Sequence, residues 1–389
     1  MRLHWFRGGR SCLLAALMLL PAAGIAAESA GISATTGAVI VAQAAPASMA
    51  EYQYLLAQYL AARQRFEAEA DAYWSVVADK RRLRVGKRRG GQDVLLADYV
   101  LTQPPRYSGP PPPIDPSAPS EEPPRKYVPV VADFLRAAAQ EFKFVPQPPR
   151  SEMDYKRAYA KAAAAAGLTR EQAVRIYAFE SGGNGKYDVQ AGLEYPRPDA
   201  RAISTALGYN QLLSTNSVEL LAEKGHQFIA ALQGKAAERK IAVLKSMIAF
   251  SRSVPDTWND HDRLANTEKG LGIHALNLDV DIGPLLQTQK LLDSVVFARK
   301  QGYDRALSAA ELEMMNLTGD GNGIDMITMP QPWRERVPTS NFFRQGGYER
   351  NPIAIRNNVV AKLIAATDAK MDEEIRLQGA KDLASMFPK

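Results

Sequence analysis

No regular element can run through the stretch from Tyr99 to Lys126, which contains Pro104, Pro105, Pro110 to Pro113, Pro116, Pro119, Pro123 and Pro124. Each proline lacks an amide donor and fixes its backbone φ, so helices and central strands are excluded. The stretch is an extended linker or an arm wrapped on another part of the chain. It separates two regions with different patterns. Before it lies one long run, Ala50 to Asp79, rich in Ala, Glu, Gln and Leu, with Tyr54, Leu55, Leu60, Phe66 and Tyr73 at spacings that suit an amphipathic helix. After it come helices of ordinary length with readable ends.

The N-terminus divides into the three parts of an export signal: Arg2, Arg7 and Arg10, an apolar run from Cys12 to Leu20, and small residues from Ala22 to Ala27. The apolar run is too short to span a bilayer, which takes roughly 20 apolar residues. Cleavage near Ala26 or Ala27 leaves a chain without cysteine, stabilised by burial and not by disulfides. Cys12 opens the apolar run instead of following it, so it is not a lipidated cysteine. These features point to a protein exported to the periplasm with no transmembrane segment after signal removal. Much of the positive charge sits in Lys80 to Arg89, where only Leu83, Val85 and Gly86 are uncharged. Such a run is a solvated face or a contact for an anionic surface, and nucleic acid is not a natural partner for an exported chain.

The expected organisation is a signal peptide at 1–27, a flexible leader at 28–50, a helical segment with the basic patch at 51–98, the proline-rich linker at 99–127, a main helical domain at 128–355 and a C-terminal helix at 356–389. In the main domain Val130 to Phe142 and Glu152 to Ala166 read as helices, the second ending at Gly167. Thr169 with Gln172 forms a capping box that opens the next helix, which stops at Gly182-Gly183. Asn216 with Glu219 and Ser308 with Glu311 mark further starts. Few alternating patterns compete after Val130, so the fold class is mainly α.

One carboxylate stands out. Glu180, in Ala178-Phe179-Glu180-Ser181-Gly182-Gly183, belongs to the last turn of an apolar helix. The helix's negative end and apolar surroundings both disfavour the ionised form, so its pKa is expected to be raised. A carboxylic acid that keeps its proton near neutral pH is what general-acid cleavage of a glycosidic bond requires. The bland reading is an exposed residue at a helix end.

Glu180-Ser181-Gly182, followed by Gly208-Tyr209-Asn210-Gln211-Leu212, resembles the lytic transglycosylases of the lysozyme-like superfamily, whose Glu-Ser-Gly motif precedes a Gly-x-x-Gln-Leu motif on the next helix. The resemblance covers roughly 151–351 and implies a lysozyme-like helical domain. It also implies that Glu180 is the single catalytic acid and base, cutting the link between N-acetylmuramic acid and N-acetylglucosamine in peptidoglycan glycan strands. By the same resemblance Ser181, Gln211, Tyr209 and Asn316 border the substrate, and no cofactor or metal is needed. The family's third motif, Tyr-Asn-Ala-Gly, has its nearest counterpart in Met314-Met315-Asn316-Leu317-Thr318-Gly319, with Met315 where the family has Tyr. Tyr209, Tyr177 or Tyr348 would then supply the missing hydroxyl. The interval Tyr187 to Ser204 is longer than the family's and reads as a loop or short hairpin beside the cleft.

Other motifs are weaker. Asp320-Gly321-Asn322-Gly323-Ile324-Asp325 lacks the ligand and glycine positions of an EF-hand and reads as a tight turn. His226, His261 and His274 have no metal-ligand spacing. Phe342, Phe343 and Tyr348 suit either a sugar-stacking rim or a loop anchored on the core. Arg356 to Met386 reads as an amphipathic helix broken near Gly379. Two further functions stay open beside the transglycosylase: a hydrolase with Asp188, Glu194 or Asp199 as second carboxylate, and a non-catalytic cell-wall binding or scaffolding protein on the same fold.

Overall fold

The computed structural model describes residues 48–117, 127–193, 199–233 and 237–388. The export signal at 1–27 and most of the leader lie outside the described residues, as does Glu194. The chain divides into two compact units, with the boundary between Lys126 and Tyr127.

The first unit is a helix and an arm. Helix α1, Met49–Arg89, starts at Ser48, whose Oγ accepts from the Glu51 amide at 3.2 Å. It runs on through the basic stretch, because Lys and Arg are good helix formers and cations suit a helix's negative end. Beyond it the chain turns at Leu96–Asp98 and folds back along the helix. Lys80 Nζ donates to the carbonyls of Ala97 at 2.6 Å and Tyr99 at 2.9 Å. Buried Arg84 donates to the Asp98 carbonyl at 3.0 Å and covers the Tyr99 ring at 4.3 Å, and Lys87 pairs with Asp98 at 2.6 Å. Further back, Tyr73 donates to the Thr102 carbonyl at 3.0 Å, and Tyr107 sets its ring against Tyr59 and Phe66 with Arg63 above it. Of the two forms expected for the proline-rich stretch, its first part is the wrapped arm as far as Gly109, where an added Cβ would lie 2.9 Å from the Ala62 Cβ. The basic run is corrected in part: Lys80, Arg84 and Lys87 fasten the arm and are not a solvated face, and Arg82 pairs with Asp79.

The second unit is built from helices; among the described residues the only β features are isolated bridges. In order they are α2 Val131–Phe142, α3 Glu152–Ala165, α4 Arg170–Ser181, α5 Ser214–Leu232, α6 Glu238–Ser251, α7 Trp258–Ala265, α8 Glu268–His274, α9 Gly283–Lys300, α10 Ala309–Thr318, α11 Asp320–Thr328, the short α12 Gln331–Arg334, α13 Gln345–Glu349 and α14 Pro352–Arg356, then α15 Val360–Glu374 and α16 Gln378–Ser385. Two packed groups share α9. In one, α2, α5, α6, α7 and α8 enclose Phe134, Leu221, Phe228, Leu232, Leu244, Met247 and Leu276. Each such side chain contributes about 1.5–3 kcal/mol by leaving water. In the other, α4, α11 and α15 pack on α10, and α3 and α16 pack on α4.

Local caps set several boundaries where the sequence puts them. Thr169 and Gln172 exchange side-chain-to-amide bonds at the start of α4, and Ser308 and Glu311 do so for α10. Other boundaries differ. Helix α5 begins at Ser214, so Asn216 is its third residue, accepting from the Leu213 amide at 3.1 Å instead of standing in front of the helix. Asp320 to Asp325 is the first part of α11 and not a tight turn. Gly319, at φ 82°, supplies the corner, and Gly323 lets α11 cross α10 closely, since a Cβ there would lie 2.3 Å from the Met315 Cα. The tail breaks between Glu374 and Gln378, before Gly379, which belongs to α16. That tail is no separate appendage: α15 packs on α4 and α10, and α16 on α3 and α4.

Candidate active site

Glu180 occupies the next-to-last position of α4. The helix ends there because Gly182 and Gly183 take φ 63° and 68°, and their amides return to the Ala178 carbonyl. A side chain at Gly183 would meet the Glu374 carbonyl at 2.5 Å, so the junction of α15 and α16 presses directly on this turn. Glu180 is half-buried, between neighbours that are buried.

Opposite it stands α10, every residue of which is buried. Asn316 donates from Nδ2 to Glu180 Oε1 at 2.8 Å. One turn earlier on the same face is Glu313, whose Oε2 lies 3.5 Å from the same Asn316 Nδ2, so the amide stands between the two carboxyls, and each acts on the charge of the other. Glu313 is wholly inaccessible, and its Oε1 has no hydrogen-bond partner among the described residues.

Burial dominates the electrostatics. Desolvation lifts Glu180 from the ordinary carboxylate range to about 7, against the opposing effect of Glu313 and Asn316. Glu313 is held well above that range by burial first, then by the charge of Glu180. Two carboxyls that share one amide, away from any cation, cannot both ionise. The pair therefore keeps at least one proton at neutral pH, and Glu180 is its member with access to solvent.

Sequence reasoning brought Glu180 and Asn316 forward, and the structure joins them. It did not bring forward Glu313. The available signal was an acidic residue in the apolar run Leu312 to Leu317, three positions before Asn316 and with no Lys or Arg in the helix.

The remaining expected residues serve the framework. Ser181 is buried and donates back to the Tyr177 carbonyl at 2.6 Å. The Gly208 to Leu212 motif, expected on a helix, forms a tight turn ahead of α5, closed by paired bonds between Leu207 and Leu212 at 3.0 Å. Gly208 at φ 80° and Gln211 at φ 45° are incompatible with a helix. Buried Gln287 of α9 clamps this turn, accepting from the Asn210 amide at 2.7 Å and donating to the Leu207 carbonyl at 3.0 Å. Gln211 turns its Nε2 onto the Gly208 and Val189 carbonyls.

Tyr209 is fully buried among Tyr155, Tyr159 and Tyr177, and its hydroxyl donates to Glu152. The sugar contact expected of Tyr209 is therefore corrected to a core position. Tyr177 donates to the Gly185 carbonyl at 2.8 Å, so both hydroxyls are engaged within the framework and neither takes the part beside Glu180 expected of it. Phe342, Phe343 and Tyr348 are buried, which makes them a loop anchor and not a rim.

The interval after Tyr187 contributes an isolated bridge between Gln190 and Leu207. Asp188 is half-buried and Asp199 exposed, and neither acts on the Glu180 charge. His274 is buried between Ser217 and the Thr205 carbonyl and held down to about 4 by desolvation, so it stays neutral. Among the described residues no group of His, Cys, Asp and Glu is arranged to hold a metal ion.

No family model, no curated protein and no solved structure matches this chain.

Proposed function

We propose that the chain is a peptidoglycan lytic transglycosylase that uses Glu180 as its only acid and base. The observation that carries this reading is one half-buried carboxyl at a helix end, with a pKa of about 7, sharing the Asn316 amide with a second carboxyl that solvent cannot reach. Glycosidases that work with two carboxyls hold them on either side of the scissile bond, about 5–5.5 Å apart for retention and about 6.5–9.5 Å apart for inversion. Glu180 and Glu313 instead share one Asn316 amide on the same side, and Glu313 is wholly buried, so the pair does not flank a sugar. The arrangement suits chemistry conducted from one side.

In the proposed reaction the Glu180 proton passes to the glycosidic oxygen as the bond to the muramic acid C1 breaks. The resulting carboxylate, stabilised by the Asn316 amide, then takes the proton of the same sugar's 6-hydroxyl as that oxygen closes on C1. The products are a free 4-hydroxyl on one fragment and a 1,6-anhydro ring on the other, and Glu180 ends protonated as it began. No water is consumed and no cofactor enters.

A second reading, a cell-wall binding or scaffolding protein, draws on Met315 in the place of the family's tyrosine and on the internal engagement of Tyr209. Mass spectrometry of the soluble products from isolated peptidoglycan separates the readings. Anhydro-muropeptides are expected from the unaltered protein, with a loss of about 10²–10⁴-fold in Glu180→Gln. Products with reducing ends would mean hydrolysis, and sacculi bound but uncut would favour the scaffold.

A further inference from the structure

The Glu313 carboxyl exchanges no proton with the sugar in the proposed reaction, yet it is built into the site. It sits on α10 with no exposure, one turn from Asn316, against Glu180 and with Oε1 unpartnered. An ionised carboxylate in that position would need several donors or a cation. What acts on it is burial, Glu180 and the Asn316 amide.

The ionisable groups of the helices packed on α10 are engaged elsewhere. Arg305 is paired with Glu311 at the start of α10 itself. On α4, Arg175 is paired with Asp368 and Asp372 of α15, where Lys370 is paired with Glu373 and Glu374. On α11, Asp320 accepts from Ser294 of α9. Buried Lys290 of α9 and Asp325 of α11 have partners of their own.

We propose that Glu313 is a positioning residue that stays protonated in the interior and donates its carboxyl hydrogen to Glu180. The negative charge Glu180 carries between its two proton transfers is then held by two donors, the Glu313 hydroxyl and the Asn316 amide, on the side away from substrate. Glu313 neither gains nor loses a proton over the cycle. A neutral acid also leaves Oε1 as a carbonyl oxygen, the least costly form for a buried atom without a partner. This inference rests on the transglycosylase reading for its consequence in the reaction, but the protonation of Glu313 is observable without turnover.

The test compares Glu313→Gln, which keeps an N–H donor, with Glu313→Leu, which keeps none. In the pH profile of peptidoglycan release, Glu313→Gln should stay within about threefold of the unaltered protein with its alkaline limb in place. Glu313→Leu should lose about ten- to hundredfold, and its alkaline limb should move up by roughly one pH unit, because removing a donor to a charged group raises the pKa of Glu180. An alkaline limb that moves down in either variant would mean that Glu313 is ionised and repels Glu180, and equal profiles in all three proteins would mean that it only fills space. Either result overturns the proposal.

Infrared difference spectra at neutral pH provide the second measurement. A protonated-carboxyl band that disappears in Glu313→Gln is expected, and its absence in the unaltered protein overturns the proposal even if Glu313→Leu fails to fold. Should the unaltered protein release nothing from peptidoglycan, the lytic reading falls and the infrared result still decides the state of Glu313.

Discussion

Helices α1 and α10 are opposite answers to the same problem of where to put charge. Of the long α1, only Ala70, Trp74, Val77 and Arg84 are buried, whereas α10 has no exposed residue. On α1 the charges stay in water, pair along the helix, or close ion pairs and carbonyl contacts with the returning arm, and they mainly fix geometry. On α10 the acidic residues are taken out of water. Glu311 is matched by Arg305 and by the cap of its own helix, and it is held below the usual carboxylate range by these bonds in spite of burial. Glu313, two positions on, is given only Glu180 and Asn316, and it is held above that range. The same side chain on one helix becomes a structural anion or a stored acid according to what faces it.

The largest effect that would break this contrast is the pH dependence of stability. Glu180 and Glu313 have folded-state pKa values above their unfolded ones, so the stabilisation they allow is present below about pH 4.5, and the part due to Glu180 is lost as pH rises through about 7. Thermal melting should fall between pH 5 and pH 8. Glu180→Gln should raise stability at pH 8 by about 1–3 kcal/mol relative to the unaltered protein, and a variant no more stable than its parent would contradict the burial of this carboxyl.

Next in size is the close crossing that seats α10. Gly323→Ala puts a methyl group against the Met315 backbone and should cost about 1–3 kcal/mol by overpacking, measured as a lowered denaturation midpoint together with reduced release of glycan products. An unchanged midpoint would show that α11 can shift freely.

The first unit should respond more weakly and without an effect on the site. Tyr107→Ala removes the ring contacts with Tyr59 and Phe66, worth about 0.5–1.5 kcal/mol each, and should speed proteolysis of the proline arm while leaving turnover intact. The smallest effect belongs to Arg82→Ala. Its pairing with Asp79 is exposed, so a shift in melting beyond about 0.5 kcal/mol would mean that this part of the basic run does more than solvate the helix.

Much of the helical layout was legible because its signals act within three or four residues. Thr169 with Gln172, Ser308 with Glu311, and Gly182 after Ser181 each satisfy or release amides and carbonyls in their own turn. The same locality explains the misreadings. Asn216 bonds the Leu213 amide from inside the helix instead of from in front of it, because a side-chain oxygen reaches an amide three residues away in either direction. Gly319, and not the glycines that follow it, makes the corner before α11.

Glu180 at the end of an apolar helix, and hence its inclination to keep a proton, follows from neighbours along the chain. That Glu313 meets it does not, since burial and the contact between α4 and α10 sum the packing of α9, α11 and α15 around them. The position of Tyr209 is decided in the same way: its motif locates a turn, but the tyrosines of α3 and α4 and the clamp from Gln287 determine that its ring points inward. Caps and turns are written in short stretches of covalent chain. The pairing of two carboxyls is a property of the interior, where the absence of water, and not the identity of the next residue, sets their charge.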